Sequence, residues 1–187
     1  MWKSVNYQLK SVSPLITHNS QLADPTNAFY KALKVITAKR KKTDEDYEAM
    51  SQIEYYGGLY LNENGPCIPA NVVEASLVKA AKKNKDGVTA AMGMFVDKNF
   101  DLVYDGPRTR EELYTHGSFI DKRMVVIDGK RILRTRPMFT DWEVTVEINY
   151  DTDIVDLSTI TGWMEISGAY KGFCEMRPKY GRFVVIK

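Results

Sequence analysis

Cysteine and histidine are nearly missing from this sequence, with two of each in 187 residues. Cys67 and Cys174 lie far apart with no C-x-x-C pair, and His18 and His116 stand alone, so the spacing offers neither a disulfide framework nor a zinc site. No metal and no cofactor is expected. No apolar run approaches the roughly 18 to 20 residues that a membrane span needs, and the opening MWKSVNYQLK has no apolar signal-peptide core. A cytoplasmic protein without a membrane partner is the expectation. Gly57-Gly58 fits neither a phosphate-binding P-loop nor a dinucleotide fingerprint. An excess of one charge is absent too: 26 basic against 24 acidic side chains leave a net charge of +2, which excludes a histone-like polybasic binder.

What is present is an ordinary apolar share of 44%, with 11% aromatic and 27% charged residues, in a length suited to one well-buried core. The reading is a single domain over residues 1–187, with 88–140 as a hairpin-rich insertion. The near-neutral total hides charge blocks. Residues 1–42 carry eight basic side chains against Asp24, and residues 43–75 carry seven acids and no Lys or Arg. Residues 122–136 hold six cations against Asp128, a second basic zone. Such blocks serve either as solvated faces or as polyanion contacts.

Val5, Tyr7 and Leu9 alternate with polar residues, the two-residue period of a half-buried strand over Trp2 to Val12. Asp24-Pro25 marks a helix start before Phe29, Leu33 and Ile36. Thr43 with Asp44, Glu45 and Asp46 reads as the cap and acidic first turn of a second helix that stops at Gly57-Gly58. A short strand at 58–61 and a tight turn at 62–66 follow. Asn71 is the expected cap of a helix burying Val73, Leu77, Ala80 and Ala81. Two apolar runs around Asp97-Lys98-Asn99 predict a hairpin, and residues 106–121 read as loop. Asp128-Gly129 is a strong hairpin turn between residues 123–128 and 131–136. Trp142 to Tyr150 is the clearest strand, residues 154–168 read as a helix, and Phe183 to Ile186 as a last strand. This order is an α+β chain. A mainly antiparallel ferredoxin-like or RRM-type sheet accommodates it, with helices on one face and a β-hairpin insertion.

Three signatures then occur in order: Tyr7 to Leu15 (YQLKSVSPL) with the His18-Asn19-Ser20 turn, Pro66-Cys67-Ile68-Pro69 before the helix from Asn71 to Lys83, and Gly172 to Val185 (GFCEMRPKYGRFVV). Together they resemble the RAMP superfamily, the RRM-like subunits that form RNA-binding backbones of CRISPR effector complexes. The chain also resembles small tailed-phage proteins of this layout. It departs from the family where Ala70-Asn71-Val72 stands in place of Gly-Ser-Ser, and where Met176 to Lys179 replaces further glycine. The resemblance implies a non-catalytic protein in a bacterial host cytoplasm that binds single-stranded RNA or other nucleic acid. It also implies self-association into a homo-oligomer or a CRISPR-type or host protein partner.

The residues expected to contact nucleic acid are Lys79, Lys82 and Lys83 on the helix, Arg134 and Arg136 on one hairpin face, and Arg177, Lys179, Tyr180 and Arg182 in the final loop. Cations take phosphates and an aromatic ring stacks on a base. The bland counterparts are a helix's solvent face, ion pairs from Arg134 and Arg136 to Glu143 and Glu147, and an edge-strand loop. The alternative function is a counter-defence protein that mimics a CRISPR subunit or sequesters a nucleotide signal. The weakest reading is an endoribonuclease relying on His18, with Asp24 six residues on, for acid-base chemistry.

Overall fold

The computed structural model describes residues 1–186. The chain is α+β with antiparallel sheets, and it divides into two compact units. One comprises residues 1–15, 61–105 and 139 onward, the other residues 16–60 and 106–138. Only part of the stretch 88–140 therefore belongs to the second unit. No helix among the described residues is long and apolar enough to cross a membrane.

The first unit is organised by strand β1 (Trp2–Ser11). Its alternation buries Tyr7 and Leu9 and leaves Asn6 and Gln8 on the other face. Further elements are β3 (Leu61–Asn62), β4 (Gly65–Ile68), α3 (Ala70–Ala81), α4 (Gly87–Gly93), β5 (Met94–Phe95), β6 (Phe100–Asp101), β9 (Glu143–Asp151), α6 (Leu157–Ile166) and β10 (Phe183–Val185). The main sheet has the order β10-β1-β9-β5, each neighbour antiparallel. β1 and β9 pair from Trp2↔Asp151 to Lys10↔Glu143, which places Tyr7 and Leu9 beside Val144, Val146 and Ile148 on the buried face. Helices α3 and α6 pack against each other, and the Tyr7 hydroxyl meets Thr161 of α6 at 2.8 Å. Val73 and Leu77 of α3, with Ile160, Trp163 and Met164 of α6, complete this core. The opposite face carries the ion pairs Lys10–Glu143 and Lys98–Glu147, both at 3.2 Å, and an exposed edge-to-face contact of Trp2 with Phe95.

Several expectations change here. Asn71 does not cap α3: Pro69 occupies the cap position without a side-chain bond, and the exposed Ala70 amide is taken by the Asn99 side chain at 3.1 Å. The apolar runs around 97–99 do not form a hairpin, because β5 pairs with β9 and β6 with β4. α6 ends at Ile166 and continues as a π turn over Ser167–Lys171. Ser167 and Ser76 share a buried 2.7 Å hydrogen bond, and Ser76 donates to the Gly172 carbonyl. Gly181 closes the loop at φ 72°, and a Cβ there would run into the Phe173 backbone.

The second unit contains α1 (Ala28–Thr37), α2 (Asp44–Gly58), α5 (Arg110–His116), β7 (Ile120–Ile127) and β8 (Lys130–Phe139), β8 ending at the boundary. Its sheet order is β2-β8-β7, and β2 (Leu15–Ile16) spans one of the four points where the chain passes from one unit to the other. α1 starts three residues later than Asp24 predicts, capped by Asn27, while the Asp24 carboxylate accepts from the Thr26 amide and hydroxyl. α2 keeps the expected cap: Thr43 and Asp46 form a reciprocal capping box. The basic end of α1 and acidic start of α2 also meet, with Lys39 2.6 Å from Asp46. Residues 106–121 hold a helix, α5, which Thr109 caps by accepting from the Glu112 amide. The β7–β8 hairpin turns at Asp128 (φ 49°) and Gly129 (φ 76°), the left-handed pair of a type I′ turn.

Candidate nucleic-acid interface

The structure brings together part of the predicted set, all within the first unit. Lys79 stands on the last turn of α3, where a cation also complements the helix dipole. The π turn after α6 presents Tyr170 and Lys171, and the following loop presents Glu175, Met176 and Arg177. These residues line an open cleft of about 470 Å³. Tyr170 is 58% exposed. The Lys83 ammonium sits 4.0 Å from the centre of its ring, a cation–π contact that brings a fourth cation to the cleft. Among the described residues Glu175 is the single carboxylate lining it.

The loop holds this arrangement with left-handed backbone at two non-glycine residues, Cys174 (φ 58°) and Met176 (φ 56°). Such conformations cost about 1–3 kcal/mol each and persist where surrounding structure enforces them. The enforcing contacts are the Gly172 amide on the Ser167 carbonyl (2.8 Å), the Phe173 amide on the Gly181 carbonyl (2.9 Å) and the Gly181 amide on the Pro14 carbonyl (2.8 Å). Cys174 is buried at the cleft wall, and burial pushes its thiol up to about 12. Burial likewise raises Cys67, to about 11. Both thiols are protonated at neutral pH, so neither is an activated nucleophile.

The other predicted residues fall elsewhere. Lys82 is exposed and folds its stem over Gly87. Lys179 is exposed, its ammonium 5.6 Å from the Tyr180 ring centre. Arg182 lines a different groove, with Val12, Glu165 and Phe183, and its backbone anchors Ser13. Arg134 and Arg136 lie in the second unit. Glu143 and Glu147 belong to the first unit, where they pair with Lys10 and Lys98. Arg134 instead donates to the buried Glu54 of α2, which also accepts from the Thr135 amide at 3.0 Å. Arg136 stands opposite Asp121, whose carboxylate is occupied by Arg123. Its Nε and Nη1 are buried without a hydrogen-bond partner among the described residues. His18 follows β2, and its carbonyl accepts from the Tyr60 hydroxyl at 3.2 Å. Its supposed partner Asp24 serves the turn before α1. His116 contacts Ser118 at the end of α5.

Tyr170 and Lys171 were not singled out by sequence reasoning, although Ala-Tyr-Lys-Gly at 169–172 places an aromatic and a cation just before a glycine. Among the described residues no group of three His, Cys, Asp or Glu side chains gathers to hold a metal ion. No protein-family model matches the chain, and none of the curated proteins matches it significantly.

Proposed function

We propose that this protein binds single-stranded nucleic acid non-catalytically, gripping phosphates in the cleft between α3 and the 170–178 loop. The observation that carries this reading is the convergence of Lys79, Lys171 and Arg177 on one cleft, beside an exposed Tyr170 that Lys83 covers on one side. Three cations supply the phosphate term, and the aromatic ring supplies a stacking surface for a base. A RAMP-like, ferredoxin-like arrangement is part of the same proposal. It is supported by the strand order β10-β1-β9-β5 together with α3 and α6 packed as a pair, the pattern of a split β-α-β fold. In that reading residues 16–60 and 106–138 are elaborations of one core.

The volume of the cleft favours one second reading. About 470 Å³ lies in the range of small-molecule sites, so sequestration of a single nucleotide is the alternative. One titration separates the two. A labelled single strand of about 12 nucleotides is bound at low salt and its affinity followed as salt rises, in competition with mononucleotides. Affinity for the strand that falls linearly on a log–log salt plot supports the proposal. Tight competition by a mononucleotide supports sequestration, and no affinity for any single strand at low salt overturns the nucleic-acid reading.

A further inference from the structure

Strand β7 is the outermost strand of its sheet, and nothing pairs with its outer edge among the described residues. The ladder with β8 runs in register from Ile120↔Pro137 to Ile127↔Lys130. The Thr135 amide turns away from β7 toward Glu54, which fixes the parity of that ladder. Residues 121, 123, 125 and 127 exchange bonds with β8, and the backbone groups of 122, 124 and 126 point outward. Of these residues Met124 is 57% exposed and Val126 68%, beside Leu133 at 48%, while Lys122 lies 3.4 Å from Glu48. The charges of β7 stand in its first half, at Asp121, Lys122 and Arg123, which leaves residues 124–127 as an unpaired apolar edge of the kind that natural sheets normally cover.

We propose that this edge is covered by the β7 strand of a second copy of the chain, paired antiparallel about a two-fold axis at Met124 or Val125. Self-complementarity favours a second copy: in these two registers no like charges are directly opposed, and in one of them Lys122 meets Asp128 twice. With the axis at Met124, Lys122 faces Val126, Arg123 faces Val125 and Asp121 faces Ile127, so no like charges meet. With the axis at Val125, Met124 faces Val126, Arg123 faces Ile127 and Lys122 faces Asp128. Shifting the axis to Arg123 opposes two arginines, and shifting it to Val126 opposes Lys122 and Lys130. The pairing is isologous and closes at two copies. The apolar half of the edge, with outward amides and carbonyls at residues 124 and 126, suits a strand better than a phosphate backbone. The inference stands independently of the cleft.

Size-exclusion chromatography with light scattering on the full chain, over a range of concentrations, tests it. The expected result is a dimer that dissociates on dilution. Val126→Pro removes only an outward amide, and Met124→Lys adds a cation at the axis; both are expected to give monomers with unchanged circular dichroism. Met124→Cys or Val125→Cys is expected to cross-link two copies under mild oxidation, and Ile127→Cys is not, since it faces residue 121 or 123 of the second copy; the buried native cysteines add no background. A wild-type monomer at every concentration overturns the proposal. So does a dimer that survives both variants, or an edge that instead captures nucleic acid or an unrelated protein while the chain stays monomeric.

Discussion

Arg134 and Glu54 form an ion pair across the second unit in which the carboxylate is buried and also satisfies the Thr135 amide, on the side of β8 that faces away from β7. Glu54 thereby does what a further strand residue would do, ending the ladder of β8 beyond β2. Removing one member of such a pair leaves the other charge uncompensated. Glu54→Ala is expected to destabilise the protein by about 3 kcal/mol in urea unfolding. Arg134→Gln is expected to weaken folding in the same sense while leaving the salt dependence of nucleic-acid binding unchanged. A lower salt slope for Arg134→Gln would return this residue to the interface.

Lys79→Gln, Lys171→Gln and Arg177→Gln are expected to weaken single-strand binding without altering unfolding midpoints, since these side chains lie at the cleft surface. Neutralising a cation that holds one phosphate lowers the log–log salt slope by about 0.7. Lys82→Gln and Arg182→Gln, which lie off the cleft, are expected to leave it unchanged. Equal effects at all five positions would mean a diffuse charge effect and no defined site.

Tyr170→Ala removes the proposed stacking surface and is expected to cost about 1–3 kcal/mol in binding, roughly 5- to 150-fold. Tyr170→Phe keeps the ring and is expected to bind as the wild type does. Equal losses in both variants, measured by the same titration, would point to the hydroxyl and against stacking.

Acid stability follows from the helix caps. Asp46 is held below its ordinary value of 3.8 by the Lys39 side chain and the Thr43 amide. Asp156 is held below 3.8 by the Thr159 amide and the Ser158 hydroxyl. A carboxylate with a depressed folded value contributes stability above its unfolded value and loses it as pH falls through the folded one. Urea midpoints are therefore expected to be insensitive to these groups between neutral pH and about pH 5, and to fall below about pH 4. Asp46→Asn and Asp156→Asn are expected to flatten that fall; midpoints unchanged down to about pH 3 in the wild type would contradict it.

Gly181→Ala is expected to destabilise the first unit by about 1–3 kcal/mol, because it combines a left-handed backbone with a clash against Phe173. It also loosens the loop that carries Arg177, so weaker nucleic-acid binding is expected alongside lower stability. Unchanged stability would show that the closing turn has room to shift.

Local periodicity made β1, β9 and the Asp128-Gly129 hairpin legible in the sequence, because each depends on alternation or turn chemistry within a few residues. The Thr43 capping box was legible for the same reason. What the sequence concealed was long-range. Asn99 replaces Asn71 at the head of α3 only because a turn 29 positions away is folded back onto it. β5 and β6 look like two arms of one hairpin, yet each finds a better partner in a distant strand. At the cleft, Lys79 and Arg177 were readable as cations, but their meeting depends on the packing of α3 against α6 and on the π turn that brings Tyr170 and Lys171 forward.

The pairing of β1 with β9 also has a consequence for the nascent chain. β1 leaves the ribosome well before the strand that flanks it along its whole length, which spans residues 143–151. The second unit ends at residue 138, so all of its hydrogen-bonded partners are synthesised before β9 exists. At about 5–20 residues per second, β1 spends many seconds with its apolar face unpaired. The order of synthesis thus favours completion of the second unit first, and makes the first unit the slow, aggregation-exposed step of biogenesis.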